Sequence, residues 1–358
     1  MNRNTKFFRT LILLVLLVTL MYIAFPLHDV PSKQQVPHVP GKSPLSDSVQ
    51  VRNISAANVS FTYTYRDLEF NLCKEAKKWT SNSDQDKKKS EVQCPRKAIS
   101  SVVFIKGRTG NQMWEYASVW AVARRTGLEP YVPRCIRNRL KEIFDMLTVP
   151  GFEDIAHCPV EFKTFVNSIE EWTSTNQSII LPRYTLQPEL VLTWVQDIRQ
   201  EFHFNKEIRN KAQRVLLDLS RKLPRKEYTF VGVHVRRTDY QGYLDRKYGE
   251  KLVTKAFFIN AMNYFNSKYS NCLFIYVSDD PGWCSKQFGR MKNVFVASNE
   301  NSPAEDMAIL SYCNHTIYDY GTFGEWGALL AGGETIYLNM TQNMRKGTGK
   351  FMNWIPMK

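Results

Sequence analysis

Short apolar runs that stop at a charged or glycine-containing turn, each followed by helical spacing, fill the second half of this chain. That alternation restricts it to an α/β fold with parallel strands. The most informative run covers residues 230–240. Val231, Val233 and Val235 alternate with Gly232 and His234, and Phe230 extends the apolar stretch backwards. A β-branched run this short reads as a buried strand of a parallel sheet. The chain then sets Arg236, Arg237, Thr238 and Asp239 in a row. In open α/β sheets, ligands sit beyond the carboxyl ends of the strands. Guanidinium forks match phosphate oxygens and keep their charge. A double arginine steadied by an aspartate therefore suits a bound diphosphate. An arginine pair solvated on a loop is the competing reading.

The same punctuation places the other elements. Residues 99–105 are predicted as a strand, followed by Gly107, Arg108, Thr109, Gly110 and Asn111. Met113, Tyr116, Ala117, Trp120, Ala121 and Arg124 then share one helix face, with Gly127 as its stop and a strand from Tyr131. Helical spacing is predicted over residues 190–202 and 206–222, while residues 134–200 carry little other pattern. After the arginine segment, residues 254–269 read as a helix with Phe257, Phe258, Ala261 and Phe265 inward. A strand at 273–277 runs into Ser278, Asp279, Asp280 and Pro281, where Asp280 suits an N-cap and Pro281 the first helical position. A short strand is predicted at 294–296. Ser302 and Glu305 form a capping box ahead of a helix through Leu310. A strand at 315–318, a turn through Gly321, Thr322 and Phe323, a helix stopped at Gly332, and a last strand at 335–338 complete the pattern.

The N-terminus departs from this plan. Residues 7–25 are almost wholly apolar, and Arg3 and Lys6 precede them with no acid nearby. The run is long enough to cross a bilayer. A cleaved signal peptide would need a small-x-small site, and none follows. The flanking cations put residues 1–6 in the cytosol and the rest of the chain in a lumen. Residues 26–97, rich in proline, serine and glutamine at their start, read as a stem. The globular part is expected from residue 98, with lobes at 98–225 and 226–358.

The formal net charge of +14 points to nucleic acid, anionic lipid or an anionic substrate. A luminal chain does not meet nucleic acid, which leaves solvated faces and an anionic small molecule. The seven cysteines suit an oxidising lumen. Cys73 with Cys94, and Cys135 with Cys158, are the nearest pairs, but the sequence does not fix the connectivity, and the odd count leaves at least one thiol free. Glycosylation sequons begin at Asn53, Asn58, Asn176, Asn314 and Asn339. The cysteine spacing matches no zinc site. Asp84 and Asp86 have the acid-x-acid spacing of a metal-dependent sugar-transfer site, but they stand in a polar lysine-flanked linker. For Asp279 and Asp280, helix capping and ribose or guanine hydrogen bonding fit better than metal binding.

Five segments in order resemble the galactoside α-1,2-fucosyltransferase family, glycosyltransferase family 11. They are Gly107 to Met113, Val231 to Tyr240, Ser278-Asp279-Asp280 with Trp283-Cys284, Ser302-Pro303-Ala304 with Asp306, and Cys313 to Ile317 with Gly321 to Gly324 and Trp326 to Ala328. They cover roughly residues 100–340, and the ordered set is far more specific than any one segment. The arginine segment is also similar to one in α-1,6- and protein O-fucosyltransferases.

The resemblance implies a GT-B-like fold of two Rossmann-like lobes and a GDP-fucose donor. It implies metal-independent transfer with inversion to a galactose 2-hydroxyl, with no cofactor besides that donor. Arg236 would engage the departing diphosphate, with His234 and Asp239 orienting it. Gly107, Arg108, Gly110 and Asn111 would close over the phosphates or fucose from the other lobe. Arg237, Asp279, Asp280, Thr322 and Phe323 complete the donor-binding set. Thr238 stands where the family usually has glycine, and Thr109 where leucine or glycine is common, so an altered donor loop is expected. Asp239 and Glu115 are the general-base candidates, and Asp239 suits bracing an arginine equally well. The implied location is a single-pass type II Golgi membrane protein. Its partners would be GDP-fucose, a galactose-terminated glycan and the membrane, without nucleic acid and with homo-oligomer formation open. Another acceptor, or a catalytically silent glycan-binding protein, are the alternatives.

Overall fold

The computed structural model describes residues 64–73, 93–101, 107–160, 162–164, 178–181, 187–224, 227–339, 348–349 and 352–358. The apolar segment 7–25, the polar run 80–90, and strand positions 102–105 lie outside them. Among the described residues no helix is long and apolar enough to cross a membrane.

The chain folds as α/β with two parallel sheets. The first half contains α1 (Tyr65–Leu72), β1 (Ala98–Ser101), α2 (Thr109–Thr126), β2 (Glu129–Pro130), α3 (Arg134–Lys141), β3 (Phe162–Thr164), β4 (Ser178–Leu181), α4 (Pro188–Thr193), α5 (Val195–Glu201) and α6 (Lys206–Arg221). Its strands form a four-stranded sheet in the order β2-β1-β4-β3. The second half contains β5 (Thr229–Val235), α7 (Tyr240–Tyr248), α8 (Lys255–Lys268), β6 (Cys272–Ser278), α9 (Pro281–Phe288), β7 (Val294–Val296), α10 (Pro303–Ser311), β8 (His315–Tyr318), α11 (Gly321–Ala331), β9 (Thr335–Leu338) and β10 (Ile355–Met357). Its six-stranded sheet runs β10-β9-β8-β5-β6-β7. Counted from β5, this is the doubly wound order in which the winding direction reverses between the first and fourth strands. The reversal falls between β5 and β8, which pair in parallel up to His234 opposite Tyr318.

Both faces of the larger sheet are covered, as the apolar strand runs require. Val231, Val233 and Val235 pack with Phe257, Phe258 and Phe265 of α8 on one side. On the other, Leu310 of α10 and Trp326 of α11 join Trp114 and Tyr116 of α2 in one core that continues into the first half. The sequence predicts one buried face for α2. Instead every residue from Gln112 to Ala123 is buried, because the helix is enclosed between β1, its neighbouring helices and α11. The buried carboxylate of Glu201 is satisfied there, accepting from Tyr116 Oη at 2.6 Å, Trp120 Nε1 at 3.1 Å and the Thr148 amide at 2.9 Å.

Several expectations are corrected. The globular body takes in residues 64–73, which the sequence reading put in the stem. Thr64 and Asp67 form a capping box, and Tyr65, Leu68 and Glu69 of α1 are buried. Disulfides join Cys73 to Cys135 and Cys94 to Cys158, a connectivity that the spacing leaves open, and Cys272, Cys284 and Cys313 are buried free thiols. The charged run at 134–141 is a helix with Ile136 and Leu140 in the core. Residues 190–202 form two helices broken at Trp194. β2 lies at Glu129–Pro130, just before Tyr131, and Val132 makes only an isolated bridge to Gly151. The last strand is β10, paired to β9.

Candidate active site

Arg236 is the first residue beyond β5, at the switch point, and two carboxylates hold it. The Asp239 side chain takes both arms of its guanidinium, Nε at 3.1 Å and Nη2 at 2.8 Å. The same Asp239 oxygen accepts Arg108 Nη2 from the start of α2 at 2.6 Å. Asp239 thus bridges an arginine from each half of the molecule. Tyr240 lies under Arg236, with the guanidinium carbon 5.2 Å from the ring centroid, and packs at a tilt against Tyr320.

The neighbouring residues of the loop serve to fix it. Asp279 accepts the Arg237 amide at 2.8 Å and the Thr238 hydroxyl at 2.6 Å. Thr238 therefore ties the arginine loop to the end of β6. The Arg237 guanidinium stands over the Trp283 ring at 3.9 Å and reaches the Val253 carbonyl at 3.4 Å. It is not part of the Arg108–Asp239–Arg236 cluster. Asp280 caps α9, accepting the Trp283 amide at 2.9 Å.

Two helix N-termini meet at this place. α2 starts just after Arg108 and α11 at Gly321. Asn111 Oδ1 accepts from Thr322 Oγ1 at 2.9 Å, and the Gly110 carbonyl accepts from Trp326 Nε1 at 3.0 Å. Trp114 Nε1 returns the contact to Glu325 at 2.9 Å. The helices approach so closely that a Cβ on Gly110 would lie 2.9 Å from the Thr322 carbonyl carbon. Gly107 contributes its carbonyl to Gln112 Nε2 at 3.5 Å. Each N-terminus carries roughly half a positive charge, which adds to two guanidiniums and makes the place suited to an anion.

Beneath Arg236 lies a buried acid–imidazole group. His234 Nδ1 is 3.6 Å from Asp319 Oδ1, and its ring lies against Phe323 with centroids 5.4 Å apart. Asp319 stands at the end of β8, and both its oxygens accept the Arg236 amide, at 3.1 and 3.0 Å. Burial pushes the Asp319 carboxyl up to about 6, with His234 and the Tyr320 amide pulling the other way. Asp306 of α10 is likewise raised by burial to about 6, against a hydrogen bond from Asn301 and the influence of His234.

The remaining candidates sit elsewhere. Glu115 is buried within α2. Asn53, Asn58 and Asn176 lie outside the described residues. Asn314 and Asn339 are exposed, and Asn314 Oδ1 accepts the Phe230 amide at 2.9 Å. Cys94, His157 and Cys158 stand within ligand distance of one another, but both thiols are consumed in their disulfide. Asp319 and Trp283 were not singled out from sequence as site residues. The available signal for Asp319 was its place between a predicted strand and a predicted glycine turn.

A parallel α/β protein that collects arginines and helix N-termini at its switch point belongs to the class built to hold a phosphorylated ligand. The profile of Glycosyl transferase family 11 matches residues 71–356, and the chain belongs to that family. It is 34% identical over 241 residues to galactoside alpha-(1,2)-fucosyltransferase 2 of Bos taurus, covering 65% of this chain and 69% of the relative. To galactoside 2-alpha-L-fucosyltransferase Sec1 of Mus musculus it is 32% identical over 260 residues, covering 69% of each. Among solved structures it is similar to fucosyltransferase NodZ from Bradyrhizobium, at 17% identity and a TM-score of 0.43, over 66% of this chain and 94% of that one. The apo form of POFUT1 aligns at 11% identity and a TM-score of 0.46, over 70% and 100%.

Proposed function

We propose that the protein transfers fucose from GDP-β-L-fucose to the 2-hydroxyl of a galactose on a glycan, giving an α-1,2 linkage with inversion. Membership of the family and the names of its relatives support the reaction. The observation that carries it to particular residues is the Arg108–Asp239–Arg236 bridge at the switch point. The fold is read as GT-B-like, with the donor held between the two sheets' C-terminal edges.

In this reading Arg236 faces the diphosphate and stabilises the charge that grows on it as the glycosidic bond breaks. That role is filled by a fixed guanidinium, so the mechanism assigns no step to a metal. Arg108 approaches from α2, and the amides at the starts of α2 and α11 add donors to phosphate oxygens. Asp239 and Asp319 hold Arg236 by its side chain and its peptide. Residues 7–25 are read as a Golgi signal anchor with the catalytic part luminal, and two disulfides are in keeping with that compartment.

The test is Arg236→Ala, assayed with GDP-fucose and a panel of β-galactosides, other sugars and peptides. Transfer and donor hydrolysis are expected to fall by about a hundredfold or more, with the circular dichroism spectrum unchanged. Full activity in the variant would remove Arg236 from the mechanism. Wild-type transfer only to a non-galactose acceptor would overturn the acceptor assignment.

A further inference from the structure

We propose that Asp319 is the positioning residue for the site arginine: its buried carboxylate replaces the missing next rung of the β5–β8 ladder and fixes the Arg236 peptide. This rests on the reading of Arg236 as the partner of the donor diphosphate. The ladder between the two strands ends with His234 opposite Tyr318. The next amide, that of Arg236, has left the strand and needs an acceptor, because an unpaired peptide N–H away from water is costly. Asp319 supplies it from its side chain, with both oxygens near 3 Å, at 3.1 and 3.0 Å. Its Oδ1 also takes the Tyr320 amide at 2.6 Å, so one carboxylate shapes the chain leaving β5 and the chain entering α11. Asp319 is 1% exposed, which keeps water from substituting for it.

The division of labour with Asp239 follows from exposure. The Asp239 side chain is 56% exposed and can give way when another anion meets Arg236. Asp319 cannot leave, and the arginine's peptide stays where it is whichever anion its guanidinium faces. The ionised form accepts the Arg236 amide on both oxygens; a proton on Oδ2 leaves Oδ1 alone to serve the Arg236 and Tyr320 amides, and a proton on Oδ1 sets a donor against them. Its titratable neighbours are His234 on β5, Tyr320 ahead of α11, and Cys284 on α9, whose thiol burial raises to about 12. Asp306 on α10 acts on His234.

The experiment measures GDP-fucose binding by calorimetry, without acceptor, for wild type, Asp319→Asn and Asp306→Asn between about pH 5 and pH 8. GDP-fucose is chosen because its diphosphate is esterified at both ends and does not titrate in this range. Wild-type affinity is expected to weaken below about pH 6, where Asp319 takes up a proton. Asp319→Asn is expected to bind about tenfold or more weakly at neutral pH and to lose that acid limb, while Asp306→Asn keeps it. Wild-type affinity with an intact limb in Asp319→Asn overturns the proposal, as does loss of the limb in Asp306→Asn instead. If Asp319→Asn does not fold, hydrogen exchange on the wild-type protein decides. The Arg236 amide must exchange far more slowly than the exposed amides of its loop, and exchange at their rate overturns the proposal. Failure of the wild type to bind GDP-fucose at any pH would instead sink the reading of the site.

Discussion

The two glycines at the ends of α2 separate the stability of the helix from its service to the site. A Cβ on Gly110 would lie 2.8 Å from Thr322 Oγ1, 2.9 Å from the Thr322 carbonyl carbon and 3.0 Å from the Phe323 nitrogen. Two of these atoms are backbone, so no rotamer change relieves the clash. The starts of α2 and α11 must part by about half an ångström, an overpacking that costs about 1–3 kcal/mol. The hydrogen bonds crossing that contact, Thr322 to Asn111 at 2.9 Å and Trp326 to the Gly110 carbonyl at 3.0 Å, would stretch toward their limit. Gly127, at the other end, has φ of 74° and nothing within 4 Å of an added Cβ. Alanine there meets only left-handed backbone strain, about 1 kcal/mol. Both variants are expected to melt lower, Gly127→Ala by about 2–4 °C and Gly110→Ala by up to about 10 °C. Only Gly110→Ala should also weaken GDP-fucose binding, by about tenfold or more, because the anion's two sets of donors move apart. Scanning calorimetry and titration calorimetry read the two quantities separately. Normal melting and affinity in Gly110→Ala, or an equal loss of affinity in Gly127→Ala, would refute the claim that the helix contact shapes the site.

Arg237→Ala should lose the stack on Trp283 and lower the urea midpoint, since a partly desolvated cation–π pair contributes about 0.5–2 kcal/mol. Its effect on turnover should be well below that of Arg236→Ala, and an equal collapse would place Arg237 on the diphosphate. The stability of Asp319→Asn relative to wild type should depend on pH with a definite sign. The folded carboxyl titrates at about 6 against an ordinary 3.8, so the folded wild type loses stability as pH rises from about 4 to about 6 and is level above that. The variant is spared this, and the difference should move in its favour by about 2 kcal/mol between about pH 4 and pH 7. Urea unfolding at several pH values checks it, and a constant difference would mean that Asp319 is not held as a buried charge.

The second half of the chain was legible because each strand is a short apolar run closed by a turn signal. The Ser302 capping box and the Asp280 cap form as their spacing predicts. The first half was read less well. α3 looks like a solvated basic run, and only Ile136 and Leu140, one turn apart, betray its buried face. The short strands β3 and β4 carry no alternation long enough to register, and α1 was lost in a linker-like composition. The cysteine pairing was left open by the sequence for a geometric reason. Bridges across 62 and 64 residues depend on how α1 and the residues around Cys94 fold back onto the body, which spacing does not encode. In the site, arginines and glycines at strand ends could be found locally. Asp319 could not, because its role exists only when β8 lies beside β5, a neighbour relation between strands separated by β6 and β7.

That relation also explains why the arginine needs two acids. Two guanidiniums converging on one place repel each other, and the two adjoining helix N-termini add to the positive field. Asp239, placed between Arg108 and Arg236, neutralises part of that field and keeps both side chains aimed at one point. Because this carboxylate is largely solvated, the bridge contributes only about a kilocalorie or less to stability. A diphosphate carries more charge than one carboxylate and can satisfy the same donors together with the amides of α2 and α11. Exchanging one anion for the other therefore requires little reorganisation of the arginines, provided their main chain does not move. The weak, exposed acid meets the first need and the buried one meets the second; a single carboxylate could not be both replaceable and immovable.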